Sequence, residues 1–236
     1  MITLPNPKDS IAVVTGASSG IGAEIAIQLS KISGHIYIVG RNIEKLEKTN
    51  DNIIKNNCEC TIVPLDLTKN GVLEEFARNV FQKNRKIDIL VSSAGTIEHL
   101  SPIDSINEEQ FKKVVELNYI SNFKLIKSFH YLLKNSENGR LIVISSLAEK
   151  IGIQYWGIYQ PIMNALNHLV ITYAEENKNT KIKANVLCPK AVNTSFRDKI
   201  MPGENKEDIL SVYTVAMKVI ELTKKDLSET GKIFNI

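Results

Sequence analysis

The sequence has little of what several functional classes require. Three cysteines in 236 residues do not make a disulfide framework. Cys58 and Cys60 lack the nearby histidine or second cysteine pair that would complete a zinc set, so no metal site is expected. The four histidines, His35, His99, His130 and His168, are scattered and are expected to be structural or surface residues. No uninterrupted apolar run is long enough to cross a bilayer. The Met1–Ser10 stretch carries Pro5 and Pro7 without an apolar core, which argues against a secretory signal. A net charge of +3 is too small to imply a nucleic-acid partner. These absences point to a cytoplasmic protein with neither nucleic acid nor membrane as its partner.

What is present is an ordinary globular composition, 43% hydrophobic and 23% charged, over a length that suits one α/β domain spanning residues 1–236. Its organising stretch is Ile11-Ala12-Val13-Val14-Thr15-Gly16-Ala17-Ser18-Ser19-Gly20-Ile21-Gly22. An apolar run reads as a buried strand, three glycines mark a turn, and Ala23–Ser30 opens a helix. Backbone N–H groups at a helix N-terminus attract anions, and glycine lets a pyrophosphate approach the chain closely. The spacing is G-x-x-x-G-x-G, and no Gly-Lys-Ser/Thr ending suggests a P-loop. Alone, the motif fits either a nucleotide site or a plain strand–turn–helix junction.

Downstream, strands alternate with helices. His35–Val39, Cys60–Pro64, Ile87–Ser92, Leu141–Ser145, Ala184–Leu187 and Lys232–Ile236 read as strands. Helices are expected at Ile43–Asn56, Asn70–Asn84, Asn107–Asn135, Tyr159–Glu176 and Asp208–Leu222, with Phe111, Val114, Val115 and Leu117 on the inner stripe of the third. The alternation predicts a doubly wound parallel sheet of about seven strands with helices on both faces, a Rossmann-type domain. Ligands in such folds bind beyond the carboxyl ends of the strands. Those ends hold Gly16–Gly22, Gly40-Arg41-Asn42, Asp66, Ser92-Ser93-Ala94-Gly95, Ser145-Ser146 and Pro189–Thr194. Small and polar residues thus cluster on one rim.

With these motifs in place, the chain resembles the short-chain dehydrogenase/reductase family over nearly its whole length. Thr15–Gly22 matches the family's cofactor loop, which implies cofactor contacts at Gly16, Ser18, Ser19, Gly20, Ile21 and Gly22. Asp66, with Leu67 beside it, stands where the family contacts adenine. Ser92-Ser93-Ala94-Gly95 takes the Asn-Asn-Ala-Gly position with both asparagines replaced, leaving Ser93, Ala94 and Gly95 as cofactor residues. Asn118, Ser146 and Tyr159 match the catalytic asparagine, serine and tyrosine. Pro189, Val192 and Thr194 resemble the segment over the nicotinamide. The resemblance implies hydride transfer between nicotinamide and a carbonyl or alcohol substrate, with Tyr159 moving the proton, Ser146 orienting the substrate oxygen and Asn118 supporting a water relay. Tyr159 would also contact the cofactor. An arginine after the second strand can pair with a ribose 2′-phosphate, so Arg41, with Asn42, favours NADP(H) over NAD(H); a solvated arginine at a strand end is the plainer alternative.

The family's lysine four residues after the tyrosine is replaced here by Met163. That lysine would favour phenolate and bind the nicotinamide ribose, so its loss leaves two readings open. One is an NADP(H)-dependent oxidoreductase with an altered acid–base site. The other is a non-catalytic NADP(H)-binding protein acting as redox sensor or scaffold. Lys190 stands where the family has glycine; it either returns a cation to the site or points to solvent. Tyr155 and Trp156 either line a substrate pocket or pack. A short segment around residues 195–207 corresponds to the family's substrate lid. The apolar surplus on the helices at Asn107–Asn135 and Tyr159–Glu176 implies a homodimer or homotetramer.

Overall fold

In the computed structural model, which describes residues 10–146 and 152–236, seven parallel strands form one sheet in the order β3-β2-β1-β4-β5-β6-β7. The strands are β1 (Ile11–Thr15), β2 (His35–Gly40), β3 (Glu59–Pro64), β4 (Ile89–Ser92), β5 (Arg140–Ile144), β6 (Lys183–Cys188) and β7 (Ile233–Asn235). The helices are α1 (Gly20–Leu29), α2 (Ile43–Ile54), α3 (Val72–Asn84), α4 (Glu108–Val115), α5 (Ser121–Lys134), α6 (Tyr159–Glu176), α7 (Ser195–Ile200) and α8 (Val212–Leu222). The strand order reverses direction after β1, and β1 pairs with both β2 and β4. Ligand crevices open at such a switch point.

Alternation of side chains across the strands sorts the core into two layers. Val13, Val39, Leu90, Val143 and Val186 face α3, α5 and α6 through Phe76, Phe129 and Leu166. Ala12, Val14, Ile38, Val91 and Leu187 face α1, α2 and α8 through Ile25, Leu46 and Val219. Both faces of the sheet are therefore covered, which is why the strands read as continuous apolar runs.

The expected helix over Asn107–Asn135 is interrupted. A π-helical turn, Glu116–Ile120, joins α4 to α5 and carries Asn118. Within α4, Val114 is buried but Phe111 is 41% exposed and does not belong to the inner stripe. The last helix begins later than Asp208. Asn205 caps a short 3-10 turn at Lys206–Asp208, and Ser211 restarts the chain by accepting the Thr214 N–H at 3.1 Å. Among the described residues, no helix is long and apolar enough to cross a membrane.

Candidate active site

Two cavities open along the carboxyl edge of the sheet. The larger, about 770 Å³, runs over the glycine turn and is lined by Gly16, Ser18, Ser19, Gly20, Ile21, Gly22, Arg41, Asn42, Asp66, Leu67, Ser93, Ala94, Gly95, Asn118, Tyr159 and Thr194. The smaller, about 440 Å³, takes in Ser146, Tyr159, Pro189, Val192 and Thr194. All the site residues expected from sequence therefore fall on one or the other wall. Tyr159, Met163, Ile21, Ser145, Thr194 and Phe196 line both. None of the four histidines lines either.

The glycine turn is shaped by close backbone approach. Gly16 adopts φ +70°, and a Cβ there would come within 2.8 Å of the Ser93 carbonyl and the Ala94 nitrogen. At Gly22 a Cβ would stand 2.4 Å from the Gly16 carbonyl oxygen. Neither contact is tolerable, so both positions require glycine. The turn leads into α1, whose N-cap Ser19 makes no side-chain capping bond and whose first turn holds no acidic residue. Uncapped N–H groups, free of a competing carboxylate, make this helix end fit a phosphate.

A buried polar chain holds the turn against β4. The Thr15 hydroxyl oxygen accepts the N–H groups of Ser93 and Ala94 at 3.2 and 3.3 Å. The Ser92 hydroxyl donates to Asn122 Oδ1 at 2.6 Å, and Asn122 Nδ2 donates to the Asn118 carbonyl at 2.8 Å. Asn118 in turn clamps the backbone of Thr96, accepting its N–H and donating to its carbonyl, both at 2.8 Å. The Asn118 amide is spent on the chain itself. It fixes the wall of the cleft.

At the far end of the cleft, Asp66 Oδ1 accepts from the Thr68 N–H and hydroxyl at 3.1 and 2.8 Å. Partial burial would raise its carboxyl, but those hydrogen bonds, with Arg41 and Lys69 nearby, outweigh it and hold the carboxyl below its usual range. Arg41 thus sits in the field of Asp66, at the rim after β2. Lys45, in the first turn of α2, lines the same cleft. So does Lys199 of α7. The family motifs mark neither lysine; Lys45 follows from its place in the first turn of α2, whose N-cap Asn42 accepts its N–H at 2.8 Å.

Tyr159 is the first residue of α6, and Pro161 is the third, within the first turn where a missing N–H breaks no helical bond. Met163 lies one turn further along the same face. It is buried, with its sulfur 3.7 Å from Asn118 Nδ2. A thioether, not a cation, therefore stands one helical turn from the phenol. Burial, and to a lesser degree Cys188, raises the Tyr159 phenol above its ordinary value. Burial also pushes the Cys188 thiol up to about 11, against the opposing influence of Ser145 and Asn167. Lys190 lines the smaller cavity, which Tyr159 and Met163 also line, and not the cofactor-sized cleft. Trp156 lines that smaller cavity and meets Tyr159 edge-on at 5.9 Å, whereas Tyr155 is exposed, at φ +70°, and lines neither.

Comparison with known proteins agrees with this geometry. Residues 10–205 match the family model described as short chain dehydrogenase. The chain belongs to the short-chain dehydrogenase/reductase family. Among curated relatives, a dehydrogenase/reductase SDR family protein 7-like from Dictyostelium discoideum is 30% identical over 238 residues, covering 94% of this chain and 73% of that one. Among solved structures, a short-chain dehydrogenase/reductase fold from Pseudomonas syringae superposes with a TM-score of 0.93 at 26% identity, covering 100% of this chain and 97% of that one. A Shigella flexneri 2a chain complexed with NADP superposes at 0.90 with 24% identity, covering 99% of both. Levodione reductase superposes at 0.90 with 20% identity over 97% of this chain and 96% of its own.

Proposed function

We propose that this short-chain dehydrogenase/reductase is an NADP(H)-dependent oxidoreductase acting on a carbonyl or alcohol substrate. The observation that carries the reading is the position of Tyr159, on the wall common to the dinucleotide-sized cleft and the smaller cavity. One cavity would hold the cofactor, which supplies or takes the hydride, and the other the substrate. The NADP of the Shigella flexneri relative occupies the same fold, and the open N-terminus of α1 suits a pyrophosphate. Arg41, with Asn42 and Lys45 beside it, would pair with a 2′-phosphate; Asp66 and Leu67 would flank the adenine.

The phenol of Tyr159 gives its proton to the substrate oxygen in reduction and takes it back in oxidation. Ser146 hydrogen-bonds that oxygen and orients it. Asn118 acts as a positioning residue through Thr96 and Asn122. With burial holding Tyr159 protonated and no cation at Met163, the site is better arranged to donate a proton than to remove one. Residues 195–207 of this single domain would close over the cleft as a lid. Exposed Phe111, Phe123 and Tyr131 on α4 and α5 suit a subunit interface, and the working form is a homodimer or homotetramer. The free thiols of Cys58, Cys60 and Cys188 suit the reducing cytoplasm.

The test is a panel of aldehydes and ketones with NADPH consumption as readout, beside calorimetric titration of NADPH and NADH. Turnover that disappears in Tyr159→Phe, and a preference for NADPH that shrinks in Arg41→Ala, are expected. Equal affinity of the wild type for both cofactors would remove the NADP(H) assignment. Tight NADPH binding with no turnover across the panel would favour the non-catalytic binding role.

A further inference from the structure

The smaller cavity is mostly apolar, walled by Ile21, Trp156, Val192, Phe196, Ile200 and Met201 among others. The rings of Trp156 and Phe196 stand on either side of Tyr159, at centroid distances of 5.9 and 6.3 Å. A volume of about 440 Å³ suits a small organic molecule. Its charged lining is one-sided. Among the described residues, Lys190 and Arg197 are the only ionised residues on the wall, and no aspartate or glutamate lines it.

The two cations differ in what they have left to offer. The Arg197 guanidinium is spent, since its Nε and Nη2 each donate to a Glu204 carboxylate oxygen at 2.7 Å. That fork-to-carboxylate pair is neutral as a unit. Lys190 forms no ion pair among the described residues. Its backbone is fixed, with its N–H donating to the Ile236 carbonyl at 2.8 Å. Lys190, an exposed residue on the rim of an apolar chamber that Tyr159 also lines, is therefore the lining cation left without an ion-pair partner among the described residues. A neutral apolar ligand would gain nothing from that charge; an anionic one would gain a charge-assisted hydrogen bond.

We propose that the smaller cavity selects carbonyl compounds with an apolar body and a carboxylate, the carboxylate being held by the Lys190 ammonium. The proposal rests on the reading above that this cavity is the substrate site and that Tyr159 addresses the carbonyl. Lys190 is a specificity residue here: it touches the substrate away from the reacting carbon.

The experiment uses a matched pair, 4-acetylbenzoate and 4-acetylbenzamide, which differ in charge and little in shape. Calorimetric affinities for the full chain are measured with and without NADPH, at low and high salt, alongside kcat/KM wherever turnover occurs. The acid is expected to bind about 5- to 10-fold more tightly than the amide at low salt, the margin narrowing as salt rises. Lys190→Met should erase the margin and Lys190→Glu reverse it, while NADPH affinity and amide binding stay as in the wild type. Equal binding of acid and amide, no binding of either, or a margin that survives Lys190→Met would overturn the proposal; the last would mean that Lys190 faces solvent. Loss of turnover with the binding margin intact would defeat the catalytic reading and leave this one standing. Failure of NADPH to bind would defeat the cofactor reading, and the measurement without NADPH would still decide the matter.

Discussion

The sulfur of Met163 lies 3.7 Å from Asn118 Nδ2, in the buried seam between α6 and the π-helical turn. A long cationic side chain at this position would reach the same seam, one helical turn from the Tyr159 phenol. The thioether is a weak acceptor and brings no charge. On the proposed mechanism, Tyr159 therefore has no cation at this position to lower its pKa.

Met163→Lys should accordingly raise alcohol oxidation more than carbonyl reduction. An ammonium within a few ångströms of the phenol lowers its pKa by about 1–3 units, enough for a gain of about 10- to 1000-fold in the phenolate-dependent direction. Initial rates in both directions, with Tyr159→Phe as the inactive reference, measure this. Equal rates in the wild type and Met163→Lys, with NADPH still bound, would show that a cation at this position does not govern proton transfer.

The pH dependence follows from the raised phenol of Tyr159. Reduction uses the protonated form, which predominates below the raised pKa, so its rate should stay level as pH rises to the ordinary phenol range near 10. Oxidation uses phenolate, which grows about tenfold per pH unit below that pKa, so its rate should climb across the same range. Profiles of kcat/KM in the two directions check the sign. An alkaline fall in reduction near neutral pH would mean that a different group carries the proton.

Thr15→Val should destabilise the fold by about 1–3 kcal/mol, because Ser93 and Ala94 would lose the hydroxyl oxygen that accepts both their N–H groups. The shape is nearly unchanged, so the loss belongs to the two partly buried donors. Chemical denaturation measures it, and NADPH affinity should fall in parallel as the glycine turn loosens.

Arg140 offers a second stability test at the opposite end of the sheet. Its guanidinium is buried and donates to the carbonyls of Gly139, Lys181, Lys224 and Lys225, tying β5 to the end of α8. Arg140→Met should cost about 3 kcal/mol by stranding those carbonyls, with cofactor affinity unchanged. A melting temperature equal to that of the wild type would show that water reaches them.

The strand and helix order was legible because the central strands are apolar on both faces and the longer helices carry a 3.6-residue stripe. The rim was legible because close backbone contacts demand glycine at positions 16 and 22, and because a hydroxyl at Thr15 accepts two N–H groups of the β4 end. Periodicity could not reveal the π-helical turn at Glu116–Ile120, since one widened turn leaves the flanking stripes readable as a single helix. Nor could it locate α7, whose six residues are too few to show a period. The expected helix start at Asp208 missed that capping by Ser211 outweighs the acidic residues before it. Lys45 escaped because its position follows from the direction of α2, not from any motif.

Because β1 pairs with β4 as well as β2, half of the cofactor cleft is encoded far from its glycine turn. Thr15 and Ser92, which meet in that pairing, are 77 residues apart. Every strand contact in this all-parallel sheet closes a crossover rather than a hairpin, which makes assembly slow relative to helical proteins. A growing chain that has not yet emerged past Ser92 carries β1 with one bare edge and a glycine turn that has nothing to close against. The glycine turn therefore cannot close until Ser92 has been synthesised, and a fragment ending before Ile89 would expose β1 to pairing with other chains.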